Sequence, residues 1–272
     1  MPEPLGIPLH LPAPNAVPLL YAYVHCADHH AQEGHLEQPD RIKKVVELLE
    51  EYDDLSMTVH STPATHEVLS RVHSAQYLDA LFGTQQELQT YIQEKANDPS
   101  TSLPIASDVY VTQSTSSDAR VAFAAVVRAC QRMMQQHMPV AAFVRPPGHH
   151  AHSDYPKGFS FLNNAWGAVH EILRQTPNSQ STIVIIDTDY HHGCGTQQLV
   201  QKANSPRVVF ISIHADGYPA GPGKFCSAAQ MRQRVFNFCL PISPKPNDAA
   251  LKRLWWECVH PILKHYKPAY IV

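Results

Sequence analysis

The feature that most constrains this chain is a pair of β-branched runs, Thr182-Ile-Val-Ile-Ile186 and Val208-Val-Phe-Ile-Ser-Ile213, each followed at once by acidic and imidazole side chains. Runs that are apolar at nearly every position belong to strands buried on both faces, and hence to a parallel sheet covered by helices. Val140-Ala-Ala-Phe-Val144 is a third short run, stopped by Arg145-Pro146-Pro147, which cannot continue a helix. Pro268-Ala-Tyr-Ile-Val272 reads as one more strand. Helical patterns lie around these runs. The first opens at Pro39-Asp40, with Ile42, Val45, Val46 and Leu49 at i, i+3, i+4 and i+7. A second apolar face runs through Val68, Val72, Leu78 and Leu81, and an Ala/Val-rich stretch over 118–134 reads as a largely buried helix. Further helices are predicted over 164–174 and 197–202, and along the stripe Leu251, Leu254, Trp255, Cys258 and Ile262. Residues 85–115 are polar, contain a Ser/Thr-rich loop and receive no regular element. Strands alternating with helices predict an α/β fold with a mainly parallel central sheet. A Pro-rich lead-in is expected over 1–20 and one domain over 21–272.

Composition narrows the function. Lys and Arg number 21 against 24 Asp and Glu, a net charge of −3, which argues against a general nucleic-acid binder. No apolar run approaches the roughly 18 residues of a membrane span. Met1-Pro2-Glu3-Pro4 lacks the basic and apolar regions of a secretory signal, so an intracellular, reducing compartment is expected, with cytoplasm and nucleus equally open. The six Cys (Cys26, Cys130, Cys194, Cys226, Cys239 and Cys258) are scattered without a C-x-x-C pair, which indicates neither a zinc ribbon nor a disulfide framework. The 18 His nearly equal the Lys and Arg together; most are expected on the surface, but His is also the commonest metal ligand and proton carrier.

In parallel α/β sheets functional residues gather at the carboxyl ends of strands. Here those ends read Arg145-Pro-Pro-Gly-His149-His150, Asp187-Thr-Asp189-Tyr-His191-His192-Gly193-Cys194-Gly195 and His214-Ala-Asp216-Gly217-Tyr218-Pro219. In an extended Asp-x-Asp-x-His segment alternate side chains share a face, so Asp187, Asp189 and His191 can converge. A carboxylate and an imidazole suit zinc, and Asp189 and His191 are assigned as two ligands. His149 and His150, adjacent in a Gly-containing loop, can divide proton transfer between them, with Asp187 the available carboxylate to orient one. A polar loop and a structural His pair are the plainer readings of the same residues.

The blocks Arg-Pro-Pro-Gly-His149-His150-Ala, Lys-Gly158-Phe159-Ser-Phe-Leu-Asn163-Asn164-Ala and Ile-Asp187-Thr-Asp189-Tyr-His191-His192-Gly-Cys-Gly-Thr196-Gln resemble the zinc-dependent histone deacetylase family, nearer its class II and bacterial acetylpolyamine amidohydrolase members. Gly34-His-Leu-Glu-Gln-Pro39-Asp-Arg41-Ile, Val72-His73-Ser-Ala-Gln-Tyr77-Leu, Ser212-Ile213-His214 and Phe236-Asn237-Phe-Cys-Leu-Pro241 extend the likeness from about Val24 to the last residue. The resemblance implies an arginase/deacetylase-like three-layer fold and hydrolysis of the amide of N-acetyl-lysine, in a histone or another protein, or of a small acylated amine. It places Zn2+ on Asp189 and His191 and makes His149 and His150 the catalytic pair. It groups Asp187, Asp189, His191, Ser212 and Ile213 at a monovalent-cation site, with K+ the candidate. Gly158 and Phe159 correspond to one wall of the acyl-lysine tunnel, with Tyr218 assigned to the other. Asp108 is a weaker match to a rim residue that holds the substrate backbone.

The departures from the family pattern are equally specific. The family's third zinc ligand, an Asp, and its carbonyl-polarising Tyr follow the final strand, and no counterpart is present up to Val272. The family's C-terminal portion is therefore expected to be missing here, with a partner chain as one way of completing the fold. Cys194 stands where the family usually has Asn or Asp accepting from the second His. Three readings follow: a zinc-dependent deacetylase, a non-catalytic relative that binds acyl-lysine or a partner, and an acetylpolyamine or other small-amide hydrolase. A binuclear ureohydrolase is disfavoured because the order is Asp-x-Asp-x-His rather than Asp-x-His-x-Asp.

Overall fold

The computed structural model describes residues 20–23, 36–49, 51, 56–59, 62–97, 109–217, 228–243 and 245–272. Among them the strands are β1 (Leu20–Tyr23), β2 (Ser56–Val59), β3 (Val140–Phe143), β4 (Ile183–Asp187), β5 (Val208–Ala215), β6 (Val235–Leu240) and β7 (Tyr270–Ile271). The helices are α1 (Asp40–Leu49), α2 (His66–Leu69), α3 (Ala75–Phe82), α4 (Gln85–Asn97), α5 (Thr115–Gln136), α6 (Asn164–Gln175), α7 (Cys194–Ala203), α8 (Ala228–Arg232), α9 (Asp248–Leu254) and α10 (His260–Tyr266). A π-helical turn, Trp255–Val259, joins the last two.

Among the described residues the named strands pair in parallel, in the orders β2-β1-β3 and β6-β5-β4-β7. The β-branched runs are buried on both faces, as their composition requires. Ile183 and Ile185 of β4, with Val208 and Phe210 of β5, pack into the core that includes Phe123, Trp166, Val169, Ile172, Leu199 and Val200 from α5, α6 and α7. Their neighbours Val184, Val209 and Ile211 face the opposite way, onto Val259, Trp255, Ile262, Leu263 and Tyr266. Period-2 alternation thus divides one sheet between two helical layers, the three-layer α/β arrangement expected.

Several elements depart from the sequence reading. The face through Val68, Val72, Leu78 and Leu81 is split between α2 and α3, because Ser74 caps a new helix by accepting from the Tyr77 N–H and its own N–H is taken by the Ser153 carbonyl. α4 occupies a stretch given no element, burying Leu88, Tyr91 and Ile92. β2 and β6 were not predicted, and residue 20, assigned to the lead-in, opens β1; residues 1–19 lie outside the described residues. Along the last helical stripe the π turn shifts the phase, so Val259 is buried while Leu251 is 40% exposed.

β3 and β7 face a cleft of about 600 Å³ lined by Val140, Ala142 and Val144 on one side and Ile271 and Val272 on the other. Its floor reaches His149, Asp187 and Asp189. Both sheets therefore present their carboxyl edges to a common rim.

Candidate active site

The loop after β3 is held before it reaches the His pair. Arg145 donates from Nε and Nη2 to the two carboxylate oxygens of Glu37, both at 2.7 Å, with both side chains buried. The Arg145–Pro146 peptide is cis. Asn164 donates to the Pro146 carbonyl at 3.2 Å, and the Thr196 N–H donates to the His149 carbonyl at 3.0 Å. Asn163 caps α6 by accepting from the Trp166 N–H at 2.9 Å, while its amide donates to Ala151 and Thr196, each at 3.1 Å. The His149-His150 segment is thereby pinned between the N-termini of α6 and α7. Gly195 is required there, since a Cβ would collide with the Ala151 backbone.

At the end of β4, Asp187 accepts from His149 Nδ1 at 2.9 Å and from the Asp189 N–H at 3.1 Å. Burial disfavours charge on both partners, but their mutual bond outweighs it. His149 is raised above its usual value by Asp187, with Asp189 adding to the effect, and Asp187 is lowered by His149 and by the Asp189 N–H. Asp189 accepts from the His191 N–H at 2.8 Å, and its Oδ1 lies 3.2 Å from His191 Nδ1 and 4.0 Å from His149 Nε2. The His149 and His150 rings lie 3.9 Å apart between centroids. His150 is held well below the usual imidazole value, first by burial and then by the charges of His149, His191, Lys157 and His192. Its Nδ1 sits 3.5 Å from the sulfur of Cys194, a buried thiol that desolvation pushes up to about 11.

A cavity of about 540 Å³ is lined by His149, His150, Gly158, Phe159, Asp189 and His191, together with Leu36, Arg41, Pro147, Lys157 and Tyr190. The wall at 157–160 is a tight turn closed by reciprocal backbone hydrogen bonds between Lys157 and Ser160, with positive φ at Gly158 (50°) and Phe159 (63°). An aromatic residue in that region costs about 1–2 kcal/mol, so the turn holds strain beside the His pair.

The structure thus brings together six predicted residues around one cavity and puts Asp187 directly behind His149. Ser212 is in register with Asp187 on the neighbouring strand, buried, with its hydroxyl 2.8 Å from His214 Nδ1. Ile213 turns away, toward Val184, Val209 and the outer helices. Tyr218 and Asp108 lie outside the described residues. Lys157, next to the recognisable Gly158-Phe159, is a buried cationic wall residue that the sequence reading did not single out. Asp189 and His191 are donors of the types zinc prefers, but among the described residues no group of three or more His, Cys, Asp and Glu is arranged to hold a metal ion. The donor types fit zinc; their number among the described residues does not complete a site.

Comparison with known proteins bears on the family and the fold. Residues 35–272 match the histone deacetylase domain. The chain is 28% identical over 246 residues to histone deacetylase 5 of Arabidopsis thaliana, covering 87% of this chain and 36% of that protein. It is 30% identical over 197 residues to histone deacetylase HDA1 of Candida albicans, covering 67% of this chain and 23% of the relative. The chain therefore spans only about a third of the first relative's length and a quarter of the second's. The crystal structure of the HDA15 HD domain superposes with a TM-score of 0.69 at 24% identity, over 92% of this chain and 72% of that one, which supports the fold. With the domain match running over most of its length, the chain belongs to the histone deacetylase domain family.

Proposed function

We propose that this chain is a zinc-dependent deacetylase domain that hydrolyses the amide of N-acetyl-lysine in a protein. The observation that carries the reading is the His149–Asp187 pair at 2.9 Å, facing a cavity shared with His150, Asp189 and His191. Asp189 and His191 would hold the zinc, with a third donor from outside the described residues, supplied by a further segment or a partner chain. Zinc, when bound, supplies Lewis-acid polarisation of water and of the acyl carbonyl. Asp187 keeps His149 protonated at Nδ1 and directs its Nε2 toward Asp189, where it can carry a proton. His150 provides the second proton site, for the leaving amine. Gly158 and Phe159, with Tyr218 opposite, would enclose the acyl-lysine stem. Asp187, Asp189, His191, Ser212 and Ile213 would form a K+ site beneath; the register of Ser212 with Asp187 supports that grouping.

A second reading is a non-catalytic domain that binds acyl-lysine or a partner; among the described residues no group of three or more His, Cys, Asp and Glu is arranged to hold a metal ion. Zinc content and turnover of an acetyl-lysine peptide, measured on the purified chain and on His149→Ala, separate the two. About one equivalent of zinc with turnover lost in the variant supports hydrolysis. Peptide binding without turnover in either protein supports the non-catalytic reading and overturns the first.

A further inference from the structure

Among the described residues the His150 ring has one hydrogen-bonding contact, Cys194 Sγ at 3.5 Å from Nδ1. Both groups are buried, so each polar hydrogen and lone pair must be satisfied locally or left at a cost. A neutral imidazole offers one N–H and one bare nitrogen, and a thiol offers a weak S–H donor and a weaker acceptor sulfur. Two arrangements are available. If His150 Nδ1 carried the proton, its N–H would rest on a poor acceptor and the buried S–H would have no acceptor among the described residues. If Nδ1 is bare, the S–H meets a good acceptor and the imidazole proton sits on Nε2. Burial keeps the thiol in the S–H form that this second arrangement needs.

We infer that Cys194 is a positioning residue that donates its S–H to His150 Nδ1, fixing His150 as the Nε2–H tautomer and so as a proton donor. An Asn or Asp at this position would accept from Nδ1 and leave Nε2 as a base. His149 is set the opposite way, because Asp187 accepts its Nδ1 proton and leaves Nε2 bare in the neutral ring. The two rings, 3.9 Å apart, thereby hold complementary protonation patterns before any substrate arrives. The assignment of donor and acceptor to an amide hydrolysis rests on the function proposed above; the tautomer itself does not.

Long-range proton–nitrogen correlation NMR on the histidine-labelled chain at neutral pH reads the tautomer directly, with His150 assigned by the signal lost in His150→Gln. The wild-type ring should show a bare Nδ1 and a protonated Nε2. In Cys194→Asn the side-chain carbonyl accepts instead and the proton should move to Nδ1, inverting the tautomer ratio by roughly tenfold. A protonated Nδ1 in the wild type, or an unchanged ratio in Cys194→Asn, overturns the inference. Should Cys194→Asn fail to fold, the infrared difference between wild type and Cys194→Ala decides. An S–H stretch displaced below that of a free thiol supports the bond, and an unshifted or absent band overturns it. Neither readout needs metal or substrate, so lack of turnover bears on the proposed function alone.

Discussion

Arg145 grips the carboxylate of Glu37 through two parallel 2.7 Å hydrogen bonds, with the two residues 108 positions apart in sequence and only 3% and 0% of their side-chain surfaces exposed. The pair ties the segment before α1 to the loop that carries His149. A buried pair stabilises only while complete, since removing one partner leaves an uncompensated charge and typically costs about 3–5 kcal/mol. Glu37→Gln is expected to lower unfolding free energy in urea by about that amount. A Glu37→Leu/Arg145→Met double substitution should recover much of the loss. If the single substitution costs no more than a surface change, the pair is not closed in solution.

His149 and Asp187 support each other's charged forms, which sets the sign of a second prediction. Asp187→Asn removes the charge that does most to raise His149, leaving burial, which lowers it, opposed only by the smaller effect of Asp189. The His149 titration midpoint, followed by NMR, should therefore fall below that of the wild type. Because the folded-state His149 value is raised, its share of the stabilisation is complete below the ordinary imidazole range, down to where Asp187 takes up a proton, and is lost as pH rises through the raised value. The substitution should erase that loss. Under the proposed chemistry, His149→Ala should cost about 10²–10⁴ in turnover. A midpoint that stays put in Asp187→Asn would refute the coupling.

How much of this was readable in advance depended on the kind of order each segment carries. β4 and β5 declare themselves because burial on both faces leaves only β-branched and aromatic positions, and the Asp and His that follow can lie only at the rim. α4 carries Leu88, Tyr91 and Ile92 at helical spacing, but the intervening Gln and Glu side chains dilute the pattern. β6 was hidden because Asn237 interrupts its apolar run; the structure buries that amide and bonds it to Gln197 at 2.8 Å. The Cys194–His150 contact joins residues 44 apart because α7 starts against the His loop; no local pattern encodes it, and only the family resemblance pointed to it. Lys157 was equally silent, since a wall residue of a cavity has no periodicity.

The turn at Gly158 is the sharpest steric constraint on the site. Its φ is 50°, and an added Cβ would run into the His150 ring at Cδ2, with Nε2 at 3.1 Å. Gly158→Ala therefore has to strain the backbone by about 1–2 kcal/mol and push His150 aside. Ser160→Ala, on the same turn, puts no new atom against the ring and removes only two long hydrogen bonds, the hydroxyl's acceptance from the His150 N–H at 3.4 Å and its donation to the Gly158 carbonyl at 3.3 Å. Turnover, or the His150 NMR signals where turnover is not used, should change strongly in Gly158→Ala and little in Ser160→Ala. Equal behaviour of the two variants would show that the turn does not set the His150 position.

His73 supplies the last prediction, on acid stability. Its Nδ1–H donates to the His152 carbonyl at 3.0 Å and its Nε2 accepts from the Asn163 N–H at 3.1 Å, so the buried ring is satisfied only when neutral. Burial accordingly lowers it from 6.5 to about 4, against backbone hydrogen bonds to His152 and Ser153 that raise it. The unfolded chain takes up a proton near 6.5 while the folded chain refuses it until about 4, so the unfolded state binds more protons across that window. Stability must therefore fall as pH drops through it, by up to about 1.4 kcal/mol per pH unit from this ring and about 3 kcal/mol in total. His73→Gln keeps an amide donor for the carbonyl and an oxygen acceptor for the N–H without a titrating group. Between pH values of about 7 and 5, urea unfolding of the wild type should lose about 2 kcal/mol more than that of His73→Gln. The other buried imidazoles are common to both proteins and cancel in the difference. Equal losses in the two proteins would mean that His73 is not held neutral at the neck of the His149-His150 loop.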